Sequence, residues 1–216
     1  MYLNGDDAEM EMLVKLVRSP DYEVETIAAT TEVFPNLLRD PRCSVPFCII
    51  DVVHYEDAEE CDEGDAALRQ EPNVLYHIHI SRFESQCTVP LSDLLMKWWF
   101  NSAAPTNIAE LCRSFGSFLA AFHRDYPQLN HGDMNPTNVL VGTTSEVPSE
   151  GSESSVAKYR FVLVDCGGMD ADPSSGGAAE DMGTLRRALE EMGILYGAQF
   201  VALTWGSVVE GYRPGR

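Results

Sequence analysis

The stretch that most constrains this 216-residue chain runs from residue 107 to residue 167. It opens on a helical pattern: Ile108, Leu111, Cys112, Phe115, Phe118, Leu119 and Phe122 recur at the 3.6-residue period of one buried helix face. Asn107 and Glu110 have the spacing of an N-cap and its third residue, so the helix is expected to start there. A polar loop follows, His131-Gly132-Asp133-Met134-Asn135-Pro136-Thr137-Asn138, and then the apolar run Val139-Leu140-Val141. After a Ser-, Glu-, Gly- and Thr-rich loop over 143–158, a second hydrophobic strand, Phe161–Val164, delivers Asp165-Cys166-Gly167. A helix this apolar belongs in a core, and the loop and turn put two aspartates and an asparagine at the ends of core elements.

Elsewhere the pattern is less sharp. Residues 7–18 read as an amphipathic helix through Met10, Leu13, Val14 and Val17, ended by Pro20. Residues 24–39 are apolar but weakly periodic, a possible second helix. Phe47–Val53 and Val74–Ile80 read as strands, and the acidic run 56–65 between them reads as a solvated loop. His77 and His79 share one strand face and are expected to be solvated rather than to ligate a metal. A helix opens near Pro90 with Leu91, Leu94, Leu95, Trp98 and Trp99 on one stripe. Further helices are marked by Met182, Leu185, Leu189 and Met192, and by Leu203, Val208, Val209 and Tyr212, after a Ser/Gly-rich loop at 172–177. The fold class expected is α+β, strands first and helices second, in one domain with a smaller segment over 1–85 and a larger one over 86–216.

The formal net charge of −19 disfavours nucleic acid and anionic membrane as partners; it is compatible with a basic protein partner, and reads more simply as a solvated acidic surface. Met1–Asp7 lacks the basic and apolar regions of a signal peptide, and no run is long enough to span a bilayer. The six cysteines contain no C-x-x-C pair and read as reduced thiols of a cytoplasmic or nuclear protein; Cys43 and Cys48 lack the second ligand pair of a zinc site.

The two polar segments carry the chemistry. Phosphoryl transfer depends on positioning and charge neutralisation. Asp133 suits a base facing an incoming hydroxyl. Asn138 and Asp165 are hard oxygen donors of the kind magnesium takes one or two of from a protein. Gly167 permits a sharp turn after the aspartate, and His131 is expected to brace the loop in support of Asp133.

These segments resemble the protein-kinase-like superfamily. Gly132, where eukaryotic protein kinases commonly have arginine, is similar to aminoglycoside- and choline-type phosphotransferases, lipopolysaccharide kinases and the small atypical kinases of the RIO and KEOPS-complex type. The tail from Glu180 to Arg213 resembles the short C-terminal lobe of those atypical kinases. The resemblance implies a kinase-like fold with a reduced N-lobe, ATP and Mg²⁺ as cofactors, and Asn135, Asn138, Asp165 and Gly167 as the nucleotide-binding set. It also implies that Phe47–Val53 and Val74–Ile80 end the N-lobe sheet, that 82–90 is the hinge, and that the helix at 7–18 supplies an ion-pair glutamate, Glu9 or Glu11. The acceptor implied is a hydroxyl, on a protein rather than a small molecule.

The sequence departs from that pattern at the phosphate-gripping end. Its lysines are Lys15, Lys97 and Lys158, none in a recognisable strand ahead of the first helix, and no glycine-rich loop is visible. Asn135 stands where related enzymes often have a cation, and Cys166 replaces an aromatic or apolar residue. Three readings follow: a minimal kinase, a chain whose N-lobe a partner completes, and a kinase-fold interaction module without catalysis.

Overall fold

The computed structural model describes residues 11–19, 22–54, 73–101, 104–143 and 159–213. The fold is α+β, with a small antiparallel sheet and one helix ahead of a mainly helical lobe. Strand β1 (Met12–Arg18) leads into helix α1 (Glu23–Val33), followed by β2 (Pro46–His54) and β3 (Asn73–Arg82). The sheet order is β1-β3-β2, all antiparallel, with Lys15 opposite His79 and Ile49 also opposite His79.

The expected helix over 7–18 is therefore wrong where the structure describes it: Met12–Arg18 is a strand, and the first helix is α1, in the stretch read as only possibly helical. The cause is a short apolar run. Leu13, Val14 and Val17 fit a helical stripe, but a seven-residue run of Met, Leu and Val fits a strand equally, and pairing with β3 decides it. Alternation along β1 sends Met12, Val14 and Leu16 to the outer face, 55–63% exposed, beside Ile78 and Ile50 of the neighbouring strands. The inner face carries Lys15 and Val17, and with them His77 and His79. Those histidines are buried, not solvated as expected: His77 Nδ1 pairs with Asp51 Oδ1 at 2.8 Å, and His79 lies in the cleft behind Lys15 and Glu23, facing the turn after Asp165.

A two-residue strand, β4 (Val89–Pro90), passes into helix α2 (Leu91–Phe100) and then α3 (Pro105–Asp125). Pro90 lies just ahead of α2, and α3 starts two residues before Asn107 with no side-chain cap, so the capping-box expectation fails: Pro105 already supplies the fixed φ of a first turn. Strands β5 (Val139–Thr143) and β6 (Tyr159–Leu163) complete the second sheet, order β4-β5-β6. Helices α4 (Gly177–Tyr196) and α5 (Ala198–Tyr212) close the chain.

The core is built on α3. Its buried stripe of Ile108, Leu111, Phe115, Leu119 and Phe122 packs on Phe161, Leu163, Phe200 and Val208. Helix α5 lies unusually close to α3: a Cβ at Gly116 would strike the Val208 carbonyl, and one at Gly211 the Arg113 carbonyl. The lobes are joined by residues 42–44, which run beside β6 through Leu163 N–H to the Arg42 carbonyl and Ser44 N–H to the Leu163 carbonyl, both 2.8 Å. Among the described residues no helix is long and apolar enough to cross a membrane.

Candidate functional site

The loop over residues 131–138 is held from beneath by buried groups. His131 has no solvent exposure; its Nε2 donates to the Val164 carbonyl at 3.0 Å, and its backbone N–H donates to Asp181 Oδ1 at 2.8 Å. Asp181, on α4, takes His123 Nε2 on its other oxygen at 3.0 Å, and Tyr212 Oη meets His123 Nδ1 at 2.9 Å. Burial pushes the His131 pKa down, with the nearby Asp181 charge opposing. A neutral ring matches its donation to a carbonyl. Gly132 sits at φ +81° with its Cα against the Gly168 backbone, a position closed to any side chain. Asn130 and Asp170 pair their backbones alongside, so the loop and the turn after Asp165 are clasped together.

Two polar side chains meet above this support, and a third, Asp165, follows the adjoining strand. Asn138 Nδ2 donates to Asp133 Oδ2 and to the Asp133 carbonyl, both at 3.0 Å. The Val164 N–H donates to the Asn138 carbonyl at 2.9 Å, which sets Asn138 beside the residue preceding Asp165. Asp165 is the one non-glycine residue at positive φ among those described, +58°. That conformation costs roughly 1–2 kcal/mol for a residue with a Cβ, and here it turns the carboxylate back toward the N-terminal sheet.

What the carboxylate meets there is Lys15. Lys15 Nζ donates to Asp165 Oδ1 at 2.6 Å and to Glu23 Oε2 at 3.1 Å, so strand β1, helix α1 and the turn after β6 converge on one ammonium group. Partial burial works to lower the Lys15 pKa, but the hydrogen bonds and charges of Asp165 and Glu23 outweigh it, and the net shift is upward. A Cβ at Gly167 would run into the Glu23 carboxylate, so this glycine clears space for the pair. Among the described residues the glutamate that pairs with this lysine is Glu23, not Glu11, whose backbone carbonyl accepts from Phe83; Glu9 lies outside the described residues. Both Lys15 and Glu23 were missed because β1 was read as a helix. The usable signal was a lysine flanked by Leu-Val and Leu-Val, followed within eight residues by a glutamate opening a helix.

Lys15, Glu23, Asp165 and Gly167 line a cavity of about 340 Å³, closed at the back by His79, Ser44 and Ser81. His79 Nδ1 lies 3.9 Å from Glu23 Oε2. On the other side of the loop, Asp133 and Asn135 open onto a separate cleft of about 560 Å³ between α2 and α4. Asn135 was expected with the nucleotide set. It caps the turn at Pro136–Asn138 by accepting the Thr137 N–H, and faces the second cleft. Cys166 is buried under the turn, its thiol donating to the Leu163 carbonyl at 3.3 Å, with its pKa pushed up by burial.

Asp165 gives one oxygen to Lys15, and Asn138 engages Asp133 through its amide nitrogen, which points its carbonyl oxygen elsewhere. Asp165 and Asn138 are hard oxygen donors of the site, the type that magnesium takes one or two of from a protein. Among the described residues no group of three or more His, Cys, Asp or Glu side chains has metal-holding geometry.

No protein-family model matches the chain. No curated protein matches it. Among solved structures it is similar to one described as "WaaP in complex with acyl carrier protein", with a TM-score of 0.48 and 11% identity over 91% of this chain and 70% of that one.

Proposed function

We propose that this chain is an ATP- and magnesium-dependent phosphotransferase that phosphorylates a hydroxyl group. The observation that supports the reading most is Lys15. The phosphate-gripping cation absent from the sequence pattern stands in the cleft, bonded to both Glu23 and Asp165, across the loop from Asp133. A lysine so placed contributes charge where phosphate oxygens carry it, and electrostatic stabilisation of that kind is a large share of phosphoryl-transfer catalysis.

In this reading Asn138 and Asp165 hold the magnesium, which supplies neutralisation of the phosphate charge when bound. Asp133 accepts the proton of the acceptor hydroxyl. The acceptor oxygen forms a bond to the γ-phosphorus as the bond to the bridging oxygen breaks, and ADP leaves. The loop bond from Asn138 holds the Asp133 carboxylate on the acceptor side. His131 acts by position, through Val164 and Asp181, and has no exposed atom with which to react. Gly167 keeps Glu23 within reach of Lys15.

The interaction-module reading loses ground to this arrangement, since binding alone requires no such convergence of lysine, glutamate and aspartate. The partner-completed reading keeps one support: β1 is an edge strand, and no described strand covers its free side. Incubation with γ-labelled ATP and magnesium tests the proposal. Labelled acceptor is expected, falling by roughly 10²–10⁴-fold in Asp133→Asn and similarly in Lys15→Met. Absence of transfer together with absence of any Mg-ATP thermal shift would rule it out.

A further inference from the structure

The cleft at Asp133 continues well beyond the catalytic loop. Helices α2 and α4 both start beside that loop: α2 follows the β4 step that pairs with β5, and Asp181 near the start of α4 accepts the His131 N–H. They are still together at their far ends, where the Phe100 and Tyr196 rings meet edge-on at 5.4 Å. The α4 wall runs from Thr184 to Tyr196. At 1.5 Å per residue that is roughly 18 Å, the span of about five or six residues of extended chain.

Along this length the lining changes character. Beyond Asp133 come Asp93 of α2 and Glu191 of α4, both exposed. The one cation on the lining, Arg187, is already engaged by Glu180 at 3.2 Å and Thr184 at 2.9 Å. Met96 follows Asp93 by one turn on α2, Met192 stands next to Glu191 on α4, and Tyr196 lies one turn beyond it. The walls run out onto uncovered surface, Phe100 at 64% and Leu195 at 78% exposure. A trough about 18 Å long that carries Asp133 at one end, Asp93 and Glu191 on facing walls and the Phe100–Tyr196 ring pair at the other end suits an extended chain segment better than a compact solute. The chain's net charge of −19 steers basic partners toward it.

We propose that the acceptor is an extended protein segment with three elements in order, read in either chain direction. They are a serine or threonine at Asp133, a lysine or arginine facing Asp93 and Glu191, and an apolar residue docked at Met96, Met192, Phe100 and Tyr196. The assignment rests on Asp133 being the base of the transferase proposed above. The hydroxyl oxygen of that serine or threonine takes the γ-phosphoryl group and its proton passes to Asp133.

Binding and transfer are measured separately so that the two readings fail separately. Fluorescence anisotropy of the full chain is measured with three labelled peptides in both sequence directions: Ser-basic-apolar, its Glu-for-basic counterpart, and its Gly-for-apolar counterpart. The first is expected to bind at least tenfold tighter than the second and about fivefold tighter than the third. In Asp93→Lys/Glu191→Lys, with its fold checked by circular dichroism, the order of the first two peptides reverses. Equal binding of all three, no binding, or an unchanged order in the double variant would overturn the segment. So would a preference set by charge alone, with the apolar position silent. If the order holds and no labelled phosphate reaches the peptides, the docking trough stands and the transferase reading falls. If phosphate reaches peptides without regard to these positions, the reverse holds.

Discussion

On the C-terminal side of the site, the side chains beneath the loop that carries Asp133 are sealed from solvent: His131 is fully buried, and the Asp181 and His123 side chains are 1% and 4% exposed. On the N-terminal side, the Lys15, Glu23 and Asp165 side chains that meet in the cleft keep 42%, 32% and 45% of their surface. Buried polar contacts are costly to break, because the partner left behind stays desolvated. Exposed ion pairs contribute about 0–1 kcal/mol. The loop carrying Asp133 is therefore part of the folded framework, whereas the lysine end is a set of charges open to the cleft. One half binds stability and function together, and the other separates them.

The largest effect is expected where that framework is cut at its centre. Asp181→Ala strips the acceptor from the His131 N–H and from His123 at once, leaving buried donors unpaired. It should lower unfolding stability by about 3 kcal/mol, read by urea denaturation, with Asp181→Asn losing distinctly less. A loss under about 1 kcal/mol would mean that the loop does not depend on this network. Gly211→Val comes next: its side chain would have to displace the Arg113 carbonyl, and α5 would be pushed off α3. Overpacking of that kind costs roughly 1–3 kcal/mol, and thermal melting would register it without any direct contact to the site.

Lys15→Met tests the opposite half. Its stability should stay within about 1 kcal/mol of the parent, while the Mg-ATP thermal shift disappears and transfer falls by two orders of magnitude or more. A variant that unfolds instead would show the ion-pair cluster to be structural, and the contrast between the halves would vanish.

The same contrast explains which parts could be read from residues alone. The α3 stripe, the strands at 47–53 and 74–80 and the two polar segments declare themselves because burial dictates period and composition there. The helices α4 and α5 declare themselves for the same reason. Asp133, Asn138 and Asp165 were legible as a set through spacing within one loop and the strand after it. Lys15 and Glu23 were not, since a seven-residue apolar strand with one lysine has no period distinguishing it from a helical turn, and its partner β3 lies some 60 residues away. Burial of His79 was illegible for a related reason: it lies behind Glu23, which opens α1, and α1 itself is weakly amphipathic, with only Ile27 and Thr30 buried. Thr30 is tied to the site by a hydrogen bond to the Met169 carbonyl at 2.6 Å, a contact across 139 residues that no local pattern announces.

The smallest effect separates the halves by pH. Burial holds the His131 pKa below its usual 6.5, so the folded protein keeps the ring neutral while the unfolded chain takes up a proton. That contribution is complete above about pH 6.5 and is lost progressively as pH falls below it toward the folded-state value. Lys15 behaves in the opposite sense. Its pKa lies above the usual 10.5, so the contribution of its ion pairs is complete below that value and is lost as pH rises through the folded-state pKa. Denaturant midpoints of the parent should therefore decline between pH 6.5 and 5, and decline again above pH 10.5, by a smaller amount because Lys15 is partly solvated. The alkaline decline should shrink in Lys15→Met, while the acid decline stays as it was. A flat profile between pH 7.5 and 5 would show that the neutral, buried state of His131 adds nothing to the loop. An acid decline that disappears with Lys15 would join the two halves into one titrating unit and remove the distinction drawn between them.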